Sequence, residues 1–443
     1  MNKLKKKLIL LTFLIFVFCS LFISFLYYKY FLKPINVVDY NLEVNKSDIY
    51  VTLNLKKNMS KLVCAYDGLE VLVQNNTCKF KIQNEETTIE IKNNYNKINY
   101  SVNPNINKVV DFTLNKTDYY LSIGGKDNVL LSALKLGNVE EAISLTSENE
   151  SIAKTSQNTI IGVNPGTTNV SVSLGDVTKS IKVTVTDLIT TPKVINRKPK
   201  ITCNRYSKEE SSLLDKILLD RINTAGYKTR AGVVAALRFI TLELPYKIPY
   251  FFENGRLNNN TGGDYVDGEG RFYHKGLYLS SDKFSELKKT WFGPSIWGCP
   301  LTNWQDEAGF KPGVKYPNGL DCSGFVTWAM YNGGFDVSDT GAGMNSFTDD
   351  DLSDLGVHIP ITRSLLTSGS IKAGDLIGCD GHIALVGAIK DGIIYVAEST
   401  TYYDGVVMHP YTINELLNEP FLDYVINMDS YYGSEGNYTD YFE

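Results

Sequence analysis

The sequence predicts a multidomain chain: an apolar N-terminal helix, one or two β-sandwich modules, and a C-terminal α+β domain. Three observations carry that prediction. Residues 8–28 hold no charged side chain and follow Lys3, Lys5, Lys6 and Lys7. Residues 35–190 read as short alternating apolar runs separated by Asn-, Asp- and Gly-rich turns. Past residue 205 the apolar spacing becomes helical, and hairpin-forming strands follow towards the C-terminus. A chain of 443 residues is also too long for one ordinary domain, and two to four are expected.

The first element is residues 1–33, a basic tip and an anchor. A bilayer helix takes about 20 apolar residues, which this run supplies. Positive charge on its N-terminal flank places that end in the cytoplasm and the rest of the chain outside. A cleaved signal peptide is the competing reading, but such segments have apolar cores of about 7–15 residues and small-residue cleavage sites. This run is longer and finishes in Phe25-Leu26-Tyr27-Tyr28. Cys19 suggests a lipoprotein, which the bulky Phe16-Val17-Phe18 before it fits poorly. The expected location is therefore a cell membrane, single-pass, with the bulk of the chain outside. A net charge of −5 argues against a nucleic-acid partner.

Residues 35–116 are expected to form one sandwich, on runs such as Val51-Thr52-Leu53-Asn54-Leu55 and Thr88-Ile89-Glu90-Ile91. A second unit spans residues 118–188. Of the seven cysteines, Cys64 and Cys78 flank the Asp67-Gly68 turn and are the expected disulfide; two buried thiols are the alternative. The pairing of Cys203, Cys299 and Cys379 is left open. Ile160-Ile161-Gly162-Val163-Asn164-Pro165-Gly166-Thr167, followed by Val170-Ser171-Val172-Ser173-Leu174, resembles the bacterial Ig-like group 2 domain of surface proteins. That resemblance implies a spacer of two packed sheets.

Residues 189–204 read as a short basic linker, and residues 205–430 as the C-terminal domain, with residues 431–443 as a tail. Ser207-Lys208-Glu209-Glu210 is a capping box opening a helix with an apolar stripe at Leu213, Leu214, Ile217, Leu218 and Ile222. Gly226 ends that helix, and Thr229 caps the next, which runs to Leu244.

The chemistry is carried by Asp321-Cys322-Ser323-Gly324-Phe325. Asn318-Gly319 reads as a turn, and Phe325, Val326, Ala329 and Met330 give helical spacing, so Cys322 opens a helix. Unpaired N–H groups and the positive dipole end favour the thiolate there. Only four histidines are available as a base. His382 opens a strand, and a three-residue hairpin loop at Lys390-Asp391-Gly392 would set Glu398 opposite Ala384, on the same face as His382. A two-residue loop would turn Glu398 to the other face. Cys322, His382 and Glu398 thus describe a papain-like cysteine hydrolase with nucleophile, base and orienting carboxylate. His274, His358 and His409 have no partners at metal-ligand spacing, and neither a metal nor a cofactor is expected.

Asp321-Cys322-Ser323-Gly324-Phe325-Val326, Lys372-Ala373-Gly374-Asp375-Leu376 and Gly381-His382-Ile383-Ala384 resemble the NlpC family of bacterial cell-wall peptidases. The resemblance implies a papain-like fold, peptidoglycan stem peptides as substrate, and cleavage after D-glutamate. It assigns Cys322 and His382 as nucleophile and base, and places Asp321, Ser323 and the tyrosine of a Pro-Tyr element on the substrate side; that element matches Pro245-Tyr246 or Pro249-Tyr250, and Tyr250 is the preferred one. It also sets the chain in a bacterial cell membrane with its bulk facing the wall. The family's third position is usually His, Asn or Gln; here it falls on Glu398, as in the related CHAP amidases. Amidase chemistry and a non-catalytic wall-binding role are therefore the alternatives. Residues 251–318 form an insertion with Phe272, Tyr273, Tyr278, Trp291, Trp297 and Trp304, read either as a substrate-facing wall or as the insertion's own core.

Overall fold

The computed structural model describes residues 3–31, 34–57, 61–251, 275–286, 293–302, 311–337 and 352–438. The apolar run lies within one helix, Lys3–Phe31. Its Lys5–Tyr28 portion is long and apolar enough to cross a membrane, and a signal sequence meets the same description. At about 1.5 Å per residue such a helix exceeds a hydrocarbon core of about 30 Å.

Two β-sandwiches follow. In the first, the sheet Val37–Asn45, Asp48–Leu55, Thr77–Ile82 faces the sheet Leu69–Leu72, Val63–Tyr66, Thr87–Lys92, Lys97–Val102. Alternation along Asp48–Leu55 sends Ile49, Val51, Leu53 and Leu55 into the core between them. Cys64 and Cys78 are disulfide-bonded and so tie one sheet to the other. The second sandwich is built on Ser144–Ser147, Gly166–Leu174, Val177–Thr186 and Asp118–Ser122, the last pair being parallel. The first boundary differs from expectation. Lys108–Leu114 pairs with Leu131–Leu136 and places Val109 and Phe112 in the second core, so it does not belong with residues 35–116.

The C-terminal domain has three layers. Its central sheet runs His358–Pro360, Tyr424–Ile426, Leu376–Cys379, His382–Lys390, Ile393–Thr400, Gly405–Thr412. One face packs on the helices Lys208–Ala225, Arg230–Arg238 and Cys322–Gly333. The other is covered by Leu416 and Leu422 and by Leu365 and Leu366 of the short Arg363–Thr367 helix. The capping box is formed, with Ser207 Oγ accepting from Glu210 N–H and Glu210 Oε2 from Ser207 N–H. The Arg230–Arg238 helix widens into a π-turn over Phe239–Glu243.

Two segments read as linker and tail are part of this domain. Ile189 and Ile201 lie in its core, and the buried Lys198 ammonium donates to the carbonyls of Thr241 and Leu244. At the other end, Arg230 N–H donates to Ser434 O and Ala231 N–H to Glu435 O, so residues 434–435 satisfy the start of the Arg230–Arg238 helix. The fully buried Arg230 also bonds Asp375 Oδ1 at 2.6 Å and Asp429. The second sandwich meets the domain through Arg221, which bonds Glu243 at 3.0 Å and donates to Tyr120 O at 2.9 Å.

Candidate functional site

Cys322 is the first residue of the Cys322–Gly333 helix, whose N-cap is Asp321. Asp321 Oδ1 accepts from Gly324 N–H at 2.8 Å, and the buried Ser323 hydroxyl lies 3.4 Å from the same oxygen. The side chains expected on the substrate side therefore serve the cap: neither Asp321 nor Ser323 is among the cleft-lining residues. Asn318-Gly319 is not a turn. The chain is extended there, and a Cβ on Gly319 would fall 1.6 Å from the Pro249 carbonyl oxygen, so only glycine admits this approach. Leu320 then bridges Tyr250, and Ser399 Oγ donates to Leu320 O at 2.7 Å.

The base is placed by the sheet. Lys390 faces Ile393 across a two-residue loop in which Asp391 and Gly392 both have positive φ (53° and 76°), a type I′ geometry. The expected three-residue loop is absent, and this shorter one alone would turn Glu398 away from His382. A bulge at Gly387 restores the face: Val386 pairs with Val396, Leu385 with Ala397, and the next step sets Ala384 against Glu398. Arg238 Nε satisfies the bulged Gly387 carbonyl at 2.9 Å. The outcome is a hydrogen bond of 2.9 Å between His382 Nε2 and Glu398 Oε2, with the two side chains 12% and 5% exposed. A carboxylate accepts only, so Nε2 is the donor in this bond, and in the neutral imidazole Nδ1 is the nitrogen left to accept.

Cys322, His382, Glu398 and Tyr250 line one cleft of about 720 Å³. The Cys322 thiol lies against the backbone N–H of Ile383, the residue after His382. The pull towards thiolate expected from the helix start meets an opposing one. Burial, then the Asp321 carboxylate, push the thiol up to about 12, outweighing the N–H groups of Ile383, Ser323 and Cys322. Burial, with Asp321 and Cys322 nearby, also raises the Tyr250 hydroxyl, which stays a donor. A larger open groove of about 840 Å³, between residues 192–197 and the Lys390-Asp391 turn, contains no cysteine or histidine.

The other two described histidines are engaged elsewhere. His358 bonds Ser353 O at 2.9 Å and stacks on Tyr424, while His409 contacts Tyr403 OH at 3.0 Å and Asn196; His274 lies outside the described residues. No group of metal-ligating side chains is found among the described residues. Cys379, register partner of His382, is a buried free thiol, and Cys203 and Cys299 form a second disulfide. Of the insertion's aromatics, Trp297 packs edge-on against Tyr278 and against Trp328 of the Cys322 helix, all three as core. Phe272, Tyr273, Trp291 and Trp304 lie outside the described residues. Sequence reasoning missed the far wall of the cleft, where Tyr402 and Tyr403 from the turn between Ile393–Thr400 and Gly405–Thr412, Tyr411 from the latter strand, and Glu419 and Phe421 from the segment after the short helix Ile413–Leu416 converge. Their clustering had no spacing signal.

No family model and no curated protein matches this chain. Among solved structures, domains 4 and 5 of the S-layer protein SbsC are similar to 34% of this chain and are themselves 96% covered, at 12% identity and a TM-score of 0.18. SbsC domains 4–9 match 39% of this chain over 34% of their own length, so the chain spans about a third of that structure (12% identity, TM-score 0.19). Titin domains I67–I69 match 34% of it over 65% of theirs, at 12% identity and a TM-score of 0.23. At such identities and scores these likenesses fix neither the site nor its chemistry.

Proposed function

We propose that the chain is a membrane-anchored, extracytoplasmic thiol hydrolase that cuts amide bonds in peptidoglycan stem peptides, with a papain-like C-terminal domain. The observation that carries this reading is the 2.9 Å His382–Glu398 hydrogen bond in the cleft that Cys322 also lines. His382 Nδ1 takes the Cys322 proton as sulfur attacks the carbonyl carbon, and Glu398 stabilises the imidazolium that results. His382 then protonates the departing amine, and water hydrolyses the thioester. Backbone N–H groups at the helix start, with the neutral Tyr250 hydroxyl, are the donors for the oxyanion. The motif resemblance supplies the substrate class and D-glutamyl endopeptidase cleavage; the apolar helix supplies the anchor, and the sandwiches a spacer.

Glu398 in the third position supports amidase cleavage as the second reading, and muropeptide mass spectrometry after digestion of purified wall separates the two by the bond cut. Wild-type protein is expected to release fragments, and Cys322→Ala or His382→Ala to lower the rate by more than about 10⁴-fold with the fold intact. Digestion by both variants at the wild-type rate would sink the proposal.

A further inference from the structure

The far end of the cleft is walled by Tyr402, Tyr403, Tyr411, Glu419, Phe421 and Leu422. Tyr402 is 86% and Phe421 63% exposed, so these rings stand at the rim and are not buried packing. No Lys or Arg is among the described residues that line the cleft. Its two carboxylates differ in state. Glu398 is held by His382, whereas the Glu419 side chain accepts one long hydrogen bond, 3.4 Å from Phe421 N–H, and forms no ion pair among the described residues. The hydroxyls of Tyr403 and Tyr411 stay neutral, raised by burial and by Glu398, with Glu419 adding to both.

A half-exposed carboxylate beside neutral aromatic faces attracts a cation twice, through its charge and through the ring quadrupoles. It repels phosphate and carboxylate groups equally well. We propose that this end of the cleft binds a primary ammonium on the substrate, with Glu419 as the specificity-determining residue. The inference rests on the hydrolase reading for the choice of peptide, not for the attraction itself.

The test uses the full chain in detergent with Cys322→Ala, so that peptide is bound without turnover. Calorimetric titration compares the Nα-acetylated peptide L-Ala-γ-D-Glu-L-Lys-D-Ala, whose one ammonium is on lysine, with its Nε-acetyl-lysine counterpart. The free amine is expected to bind about 5–10-fold tighter, the sum of an exposed ion pair and a cation–π contact. Adding Glu419→Gln brings the two peptides within about twofold by weakening only the free amine, and Glu419→Lys reverses the order. Equal affinities without the Glu419 change, equal weakening of both peptides by Glu419→Gln, or no binding of either peptide overturns the proposal. Wall digestion by the wild type keeps the two readings apart. An amine preference without digestion removes the hydrolase and leaves the subsite; digestion without an amine preference does the reverse.

Discussion

Burial raises the Cys322 thiol, so in the proposed mechanism the sulfur nucleophile forms as His382 takes its proton. The orientation of that imidazole then matters more than any standing charge, and Glu398 is what sets it. Glu398→Ala is expected to lower kcat by about 10³–10⁴-fold with KM little changed, and Glu398→Gln, which still accepts from Nε2–H, by about 10–100-fold. Steady-state kinetics on a stem peptide checks both; wild-type kcat in the alanine variant would remove Glu398 from the mechanism. At this scale Cys322, His382 and Glu398 were legible because each stands at the start or on the face of a regular element. The thiol's protonation was not legible. It depends on how deeply the helix start is buried, and that is decided by segments distant in sequence, including Tyr250, which bridges in parallel to Leu320 just before it.

Elements are held in register here by single residues. The Glu398 face was foreseen from a loop length that the molecule does not use; a shorter loop and a bulge at Gly387 cancel. Periodicity cannot reveal such a pair of compensating shifts, because alternation resumes unchanged beyond the bulge. Gly319 is a second case, since its reason is the Pro249 carbonyl and not a turn. Asn318 beside it is fully buried, its side chain donating to Pro294 O and Ile296 O at 3.1 Å, so the insertion braces the loop that presents Cys322. Gly319→Ala is expected to force these two backbones apart, lowering kcat/KM at least about 10²-fold and destabilising the fold by about 2–4 kcal/mol. Peptide kinetics and urea unfolding measure the two effects, and wild-type values for both would refute the account. The helices at Lys208–Ala225 and Arg230–Arg238 were readable because their caps, Ser207 and Thr229, are local.

Across the whole molecule, buried tyrosines make a shared demand on pH. Burial raises the hydroxyls of Tyr119, Tyr206, Tyr411 and Tyr432 well above their ordinary value of 10.0. A folded-state pKa above the unfolded one gives stability that is complete below the unfolded value and is lost as pH climbs towards the folded one. Denaturant midpoints are therefore expected to fall once pH passes about 10, with the part of the tyrosinate absorbance that belongs to these buried rings appearing only together with unfolding. Separate ionisation of these residues in a protein that keeps its circular dichroism would contradict this. Sandwich modules and the apolar helix were legible from alternation and composition, but their limits were not. Lys108–Leu114 changes modules, and residues 189–204 sit against the C-terminal domain because Ile189, Ile201 and Lys198 find partners there. This last feature governs how the molecule can be cut apart for study. A fragment begun at residue 205 would discard the partner of Cys299, expose the hydrophobic seat of two isoleucines and strip the donor from two internal carbonyls, so any separately expressed tip must start upstream of Ile189.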